Sequence, residues 1–267
     1  MIAKSLRTLL DGLIDYAGLF PPAALSMQDA VRNYARYREQ PYAWALGRFV
    51  VPAERAHEVP SDFPLSVLWS AAAAAAAFES GGRGRRTPYE VKAANVDDVE
   101  RIATDADGRT VYVEITDLTL LDAIARHGLR AKIRTGGLTP DALPPVGNVA
   151  EFLRACKAAG VAFKATAGLH HPLRCVKPLT YEADAPTGTM HGFLNVFLAA
   201  AMLEHGDDIL REEDARAFAF DDEAAWWHGH RVTTDELRIM RRDFATSFGS
   251  CSFEEPISDL RALGWIE

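Results

Sequence analysis

The stretch GVAFKATAGLHHP, residues 160–172, begins as a buried β-strand yet carries a lysine in its middle. Phe163 and Ala165 alternate with Lys164 and Thr166, which is the two-residue period of a strand whose two faces differ. The segment then ends in a glycine and a histidine pair. This pattern predicts a strand with one face packed against apolar residues and the other facing a polar space.

The same alternation occurs in the three preceding apolar segments, at residues 88–93, 110–116 and 129–135. In a parallel barrel, one face of each strand contacts the surrounding helices and the other faces the interior, where the carboxyl ends form the active site. We therefore expect one set of charged and polar side chains to converge inside the barrel: Glu90, Lys92, Tyr112, Glu114, Lys132, Arg134 and Lys164.

Strand and helix patterns alternate over most of the chain. Candidate strands occupy residues 13–18, 46–51, 64–70, 88–93, 110–116, 129–135 and 161–167, and candidate helices occupy 27–39, 96–104, 118–127, 147–159 and 190–205, with an alanine-rich helix from 71 to 77. Units of about 20–30 residues imply parallel crossovers. The prediction is an α/β fold, a (β/α)₈ TIM-type barrel, as a single domain over residues 1–267.

The pattern becomes irregular in residues 206–267, which we interpret as a C-terminal extension or insertion. AFAFDD at 217–222 and AWWHGHRV at 225–232 are compatible with an eighth strand or with a β-hairpin whose tip carries surface histidines. A helix is expected from Thr234. The segment SFGSCSF, residues 247–253, predicts a Gly/Ser-rich turn whose backbone N–H groups, near Ser250, could bind an anion.

Composition limits the classes of function. The net charge of −8 and the pI near 5.5 argue against nucleic-acid or membrane partners, and the basic run at 83–86 reads as an exposed loop. Three widely spaced cysteines and no apolar span of membrane length favour the cytoplasm. No glycine-rich nucleotide motif is present. The expected partner is a small molecule, and the oligomeric state, including a homo-oligomer, stays open.

The charged interior favours catalysis over a purely structural network of ion pairs. Each buried charge costs several kcal/mol to desolvate, and apolar side chains would pack the same space without that cost. A lysine beside other cations in an apolar surrounding has a lowered pKa and can attack a carbonyl group. We therefore expect an enzyme.

Two segments, KIRTGG at 132–137 and FKATAGL at 163–169, resemble the paired lysine strands of deoxyribose-phosphate aldolase, a class I barrel aldolase. The resemblance covers about residues 88–172. It implies that Lys132 forms the Schiff base and that Lys164 is the neighbour whose charge lowers the pKa of that amine. The sequence departs from the family where an acidic residue is expected near Lys92, and where LHHP at 169–172 replaces a phosphate-binding loop.

The hypothesis is a lyase of class I aldolase type that acts on a small carbonyl or carboxylate compound and needs no cofactor. Lys132 or Lys164 would form the imine, Glu114 and Tyr112 would transfer protons, and Arg134 would hold an anionic group. The remaining candidate substrate contacts are Lys92, Thr166, Gly168, His170, His171, Asp15 and Ser250. Asp15 and Tyr16, in DYAGLFPP at 15–22, fit either the end of the first strand, where both would be candidate substrate contacts, or a plain turn.

Two alternatives remain at this point. In one, Glu114, His170 and His191 hold a divalent metal ion, and the protein is a metal-dependent lyase, isomerase or hydrolase. In the other, the barrel has lost catalysis and serves as a binding or assembly protein.

Overall fold

The computed structural model describes residues 2–69 and 87–267. The helix predicted at 71–77 and the basic loop predicted at 83–86 lie outside the described residues.

Eight parallel strands form a closed barrel. They are β1 (Ile14–Tyr16), β2 (Leu46–Pro52), β3 (Leu65–Leu68), β4 (Tyr89–Lys92), β5 (Val111–Glu114), β6 (Arg130–Arg134) and β7 (Phe163–Thr166), closed by a late strand, Ala245–Ser250. Each strand from β1 to β6 pairs with the next one along the chain, and the late strand joins β7 to β1. The predicted α/β TIM-type barrel is confirmed.

The described helices are α1 (Lys4–Leu10), α2 (Met27–Arg38), α3 (Val96–Ala106), α4 (Leu121–Arg126), α5 (Val146–Ala158), α6 (Phe193–Ala201), α7 (Gly206–Arg211), α8 (Thr234–Asp243) and α9 (Glu254–Ala262). Three begin where a side chain caps the first free N–H groups: Ser26 before α2, Asn95 before α3, and Thr233 before α8. The caps agree with the predicted helix starts near 27, 96 and 234.

Apolar contacts between strands and helices form the core. Phe163 of β7 packs against Phe152 of α5 and Phe197 of α6. Tyr16 of β1 packs against Tyr34 and Tyr37 of α2. Tyr16 therefore belongs to the helix-facing side of the barrel, and the idea that it contacts substrate is wrong.

A two-stranded antiparallel hairpin, β8 (Cys175–Pro178) with β9 (Thr187–Met190), interrupts the chain between β7 and α6. No pattern in the sequence predicted this hairpin. A second antiparallel sheet, β10 (Phe218–Phe220), β11 (Ala224–Trp227) and β12 (His230–Thr233), confirms the hairpin alternative for AWWHGHRV. His228 and His230 are exposed, as expected.

The eighth barrel strand is β13 (Ala245–Ser250), which contains most of the segment predicted to be a turn. That prediction was wrong, because Phe248 packs into the apolar layer beside Phe193 and Phe197, while the small residues around it face the interior. Gly249 has no positive φ, so the left-handed residue of an anion-binding nest is absent from this segment.

No helix within residues 2–69 and 87–267 is both long and apolar enough to cross a membrane.

Candidate active site

A cavity of about 430 Å³ opens at the carboxyl ends of the barrel strands. Polar and charged residues of β4 to β7 line one part of it, and apolar residues of the β1, β2 and β3 ends line another. The residues of the lining used below are Val50, Leu68, Trp69, Glu90, Lys92, Glu114, Lys132, Arg134, Thr166, Gly168, His170, Gly249 and Cys251. In TIM barrels this face carries the active site.

Strand register places the two lysines side by side. Lys132 of β6 pairs with Lys164 of β7, and Glu114 of β5 pairs with Lys132. The residues between them in sequence, such as Ile133 and Ala165, are buried on the helix-facing side. The alternation read from the sequence is therefore confirmed.

The lower part of the site is an ion-paired group around Lys164 and Glu90. Nζ of Lys164 lies 2.8 Å from Oδ2 of Asp15 and 2.6 Å from Oε1 of Glu90. Ser66 donates a 2.6 Å hydrogen bond to the same Glu90 oxygen, and Ser247 donates to Oδ2 of Asp15. The ammonium of Lys164 is fully enclosed by these groups.

The upper part continues the alternation of charges. Nζ of Lys132 lies 2.9 Å from Oε2 of Glu90 and 3.0 Å from Oε2 of Glu114. Lys92, which is mostly exposed, reaches Oε1 of Glu114 at 3.5 Å. Three carboxylates thus alternate with three amines, and the group is neutral when all six side chains are charged. In order of contact they are Asp15, Lys164, Glu90, Lys132, Glu114 and Lys92.

These ion pairs shift the pKa values of two buried side chains of the group, Glu90 and Lys164. Burial alone would raise the pKa of Glu90, but Lys164 and Lys132 outweigh it, so the pKa is lowered. Burial alone would lower the pKa of Lys164, but Asp15 and Glu90 outweigh it, so that pKa is raised. The general expectation of a lowered pKa for an interior lysine is therefore wrong for Lys164, because two carboxylates surround it.

Access to the cavity distinguishes the two lysines. Lys132 lines the cavity, whereas Lys164 lies beneath it and is 1% exposed. The ammonium of Lys164 also sits 5.6 Å from the ring centre of Tyr112, which closes the interior from below. A molecule in the cavity therefore meets Lys132 first.

The glycines of the two lysine motifs have a packing role. Gly136 and Gly168 follow β6 and β7, and a Cβ placed on either would lie 2.8 Å from the Cα of the other. Thr135 donates a hydrogen bond of 2.6 Å to the carbonyl of Ala167, whose φ of 60° is unusual for a residue with a side chain. These contacts hold the β7 end, with Thr166 and Gly168, at the cavity wall.

Two cations stand at the rim of the cavity. Arg134 is exposed and, within the described residues, has no hydrogen-bond or ion-pair partner. Lys92 has Glu114 as its one ion-pair partner in the same described part of the chain. Both were expected to point into the interior, and both do so at its outer edge because they are the last residues of β6 and β4.

The three candidate histidines lie in different surroundings. His170 lines the cavity, and its Nδ1 lies 3.0 Å from Oε2 of Glu255. His171 pairs with Asp259 of α9 and lies outside the cavity lining, so a substrate contact is not supported for it. His191 is buried, with Nε2 at 2.8 Å from the carbonyl oxygen of Pro144.

The metal-binding alternative is not supported by this arrangement. Glu114 is paired with two lysines, His170 with a carboxylate, and His191 with a backbone carbonyl. No group of three or more His, Cys, Asp or Glu side chains is placed to hold a metal ion in residues 2–69 and 87–267. The donor set proposed from the sequence does not come together.

Two other site predictions need correction. The Tyr112 hydroxyl bonds Arg130 and Thr246 at 2.8 Å each, near the amino-terminal ends of β6 and β13, and lies away from the cavity lining. Ser250 is buried, and its neighbours Gly249 and Cys251 line the cavity in its place. Tyr112 therefore lies too deep in the interior for the predicted proton transfer, and Ser250 is outside the lining in which it was predicted to bind substrate.

Sequence reasoning placed Glu90 in the interior but gave it no role, and it missed Glu255 entirely. Glu90 could have been found, because it is an acidic residue at an interior position of the strand that precedes the predicted proton-transfer strand. Glu255 lies 85 residues from His170, so no local signal connects the two.

No protein-family model and no curated protein matches the sequence. Among solved structures, the fold is similar to one described as "Crystal Structure of apo-MsnO8", with 12% sequence identity and a TM-score of 0.44. That match covers 96% of this chain and 97% of the other. A likeness of this degree carries no argument about function.

Proposed function

We propose that the protein is a lyase of class I aldolase type, in which Lys132 forms an imine with a small carbonyl substrate. The observation that carries the proposal is that Lys132, unlike its neighbour Lys164, lines the cavity while contacting two carboxylates. The lysine motifs occupy neighbouring strands in one register, which agrees with the resemblance to deoxyribose-phosphate aldolase.

Lys132 must lose a proton before it attacks a carbonyl carbon. Its contacts offer two acceptors, Glu90 and Glu114. Glu90 is a weak base, since its pKa is lowered and Lys164 and Ser66 already occupy one of its oxygens. Glu114 is therefore the acceptor, and it returns the proton when the carbinolamine loses water to give the imine.

Lys164 positions charge and does not react with substrate. It keeps Glu90 ionised between the two lysines, and Glu90 in turn holds Nζ of Lys132 at the cavity floor. Such pre-organisation costs stability unless each buried charge is paired, and here each one is.

The rim favours an anionic substrate. The alternating group of six charges is neutral, so Arg134 adds an uncompensated positive charge to the cavity. A guanidinium binds a carboxylate or a phosphate through two parallel hydrogen bonds. Val50, Leu68 and Trp69 provide an apolar wall on the other side. We therefore expect a carbonyl compound with one anionic group and a short apolar portion.

Reductive trapping tests the proposal. Borohydride is added to the protein with acetaldehyde, glyceraldehyde or pyruvate, and the intact mass is measured with and without prior EDTA treatment. We expect an adduct with pyruvate, the anionic member of the panel, unaffected by EDTA, and no adduct in Lys132→Met. Lys92→Met, which removes another cavity lysine, is the control and should still give the adduct. Failure of every carbonyl compound to form an adduct with the unmodified protein would reject the proposal.

A further inference from the structure

His170 is a cavity residue with one ring nitrogen in use. Its Nδ1 faces Oε2 of Glu255 at 3.0 Å, and Nε2 has no hydrogen-bond partner within residues 2–69 and 87–267. The ring lines the cavity at the end of the β7 loop and is largely buried. A carboxylate at Nδ1 selects the tautomer with the proton on that nitrogen, which leaves the Nε2 lone pair for the cavity.

Glu255 is built to hold this orientation. It is the second residue of α9, where its backbone N–H donates to Oγ of Ser252 at 3.1 Å, and its Oε2 also accepts a 2.9 Å hydrogen bond from Tyr181. Burial alone would raise the pKa of Glu255, but His170, Tyr181 and the nearby charge of His171 outweigh it, so the pKa is lowered. An ionised carboxylate then stabilises an imidazolium on His170.

The carboxylates near Lys132 do not account for proton transfer at the far side of the substrate. Glu90 contacts both lysines, and Glu114 contacts Lys132 and Lys92, so each serves the amine at the cavity floor. A bond that breaks farther from the imine nitrogen needs a proton acceptor elsewhere in the cavity. In the described lining, the titratable side chains outside the alternating charge group are Arg134, Cys251 and His170. The Arg134 guanidinium stays protonated and burial raises the pKa of the Cys251 thiol, so His170 is the side chain suited to exchange a proton.

We propose that His170, oriented by Glu255, is the catalytic acid–base residue for the carbon–carbon bond step. This rests on the proposed function, because it assigns the step after imine formation at Lys132. In cleavage, Nε2 takes the proton of a hydroxyl on the departing carbon, the O–H electron pair becomes a C=O bond, and the C–C electrons enter the iminium to give an enamine. The imidazolium returns its proton to the enamine carbon, and one water then hydrolyses the imine and frees Lys132.

The test separates enamine chemistry from imine formation. Pyruvate or acetaldehyde is incubated with the protein in D₂O, and exchange of the hydrogens beside the carbonyl is followed by NMR, while borohydride trapping reports the imine. We expect His170→Gln to slow exchange by about 100-fold or more and to keep the Lys132 adduct at the level of the unmodified protein. The retained adduct also shows that the variant is folded.

A histidine remote from the cavity supplies a matched control. His127→Gln removes a histidine that also pairs with a carboxylate, Glu100, but lies outside the cavity lining, so both exchange and trapping should be unchanged. Exchange by His170→Gln within about twofold of the unmodified protein would overturn the assignment, as would loss of its adduct with the fold intact by circular dichroism. If the unmodified protein gives no adduct, the proposed function fails, and this inference fails with it.

The positioning role of Glu255 has its own readout. The groups that face the pair are Tyr181 from the β8–β9 hairpin, Cys251 at the end of β13, and His171 with Asp259 of α9. In Glu255→Gln the charge that stabilises the imidazolium is gone, so the acid-side inflection of the exchange rate should move to lower pH. An unchanged pH profile would show that Glu255 has only a structural role.

Discussion

Lys132 and Lys164 occupy the same register of neighbouring strands, yet they differ in their access to the cavity and in the carboxylates around them. Lys132 lines the cavity, and one of its two carboxylate partners, Glu114, also contacts an exposed lysine. Lys164 is enclosed between Asp15 and Glu90 and lies beneath the cavity. Two identical side chains one strand apart therefore differ in access to the cavity, and under the proposed function Lys132 reacts while Lys164 keeps Glu90 ionised.

The largest expected effect concerns stability and falls on Lys164. Lys164→Met leaves Asp15 and Glu90 short of a buried partner, and the free energy of unfolding should fall by about 3–5 kcal/mol. Lys132→Met should cost less, because its carboxylate partners retain Lys164 and Lys92 and border the cavity. Urea unfolding at neutral pH measures both.

A double variant sharpens this comparison. Asp15→Asn removes one of the carboxylates that Lys164→Met leaves unpaired, so the combined variant should be more stable than the sum of the two single losses predicts. Two results would contradict the difference between the lysines. One is strict additivity of the changes in the free energy of unfolding, and the other is a larger decrease in Lys132→Met than in Lys164→Met.

The second effect is the pH dependence of stability. The pKa of Glu90 is lowered in the fold, so its contribution is complete above the unfolded value of about 4.3 and is lost as pH falls through the lowered folded value. The pKa of Lys164 is raised, so its contribution is complete below about 10.4 and is lost as pH rises through the folded value. A carboxylate of this kind contributes on the order of 2 kcal/mol.

The free energy of unfolding should therefore fall below about pH 4, and Lys164→Met should reduce this acid-side slope. Lys92→Met is the control, since Lys92 contacts Glu114 and leaves the Glu90 contacts intact. Unfolding by urea at a series of pH values gives the slopes. Equal slopes in the unmodified protein and in Lys164→Met would contradict the role given to this pair.

The smallest effect concerns the rim above Lys132. Arg134→Gln should raise the pyruvate concentration needed for half-maximal trapping by about tenfold, or about 1.4 kcal/mol, with little effect for the neutral acetaldehyde. Arg126→Gln, an exposed arginine of α4 that pairs with Glu100, should change neither value. An equal change for both carbonyl compounds would show that Arg134 does not hold an anion.

The interior charges could be predicted because a strand repeats every two residues. Phe163 and Ala165 are apolar beside Lys164 and Thr166, and a barrel has only two faces to which these sets can belong. The interior positions of Glu90, Glu114 and Lys132 follow from the same two-residue period, without any information about contacts between distant residues.

The eighth strand could not be predicted in the same way. Its sequence, ATSFGS, holds a single large apolar residue, Phe248, and its glycine and serines are typical of a turn. Small residues fit there because Gly249 lies against Thr166 inside the barrel, where a Cβ would come within 3.2 Å of the Thr166 hydroxyl. That requirement comes from the closed barrel and is invisible in the local sequence.

The sequence also could not predict which lysine lines the cavity and which lies beneath it. The motifs KIRTGG and FKATAGL place both lysines in the interior. How far each lysine lies from the cavity depends on its carboxylate partners, and those of Lys164 come from β1 and β4. Asp15 lies 149 residues from Lys164, so their contact is a product of barrel closure.

Peptide mapping of the borohydride adduct tests the central claim most directly. The unmodified protein is reduced in the presence of the carbonyl compound that gives the most adduct, digested, and sequenced by tandem mass spectrometry to find the modified lysine. The account predicts modification at Lys132 alone among the lysines of the barrel interior, with Lys164 unmodified. An adduct on Lys164 with Lys132 unmodified would contradict it.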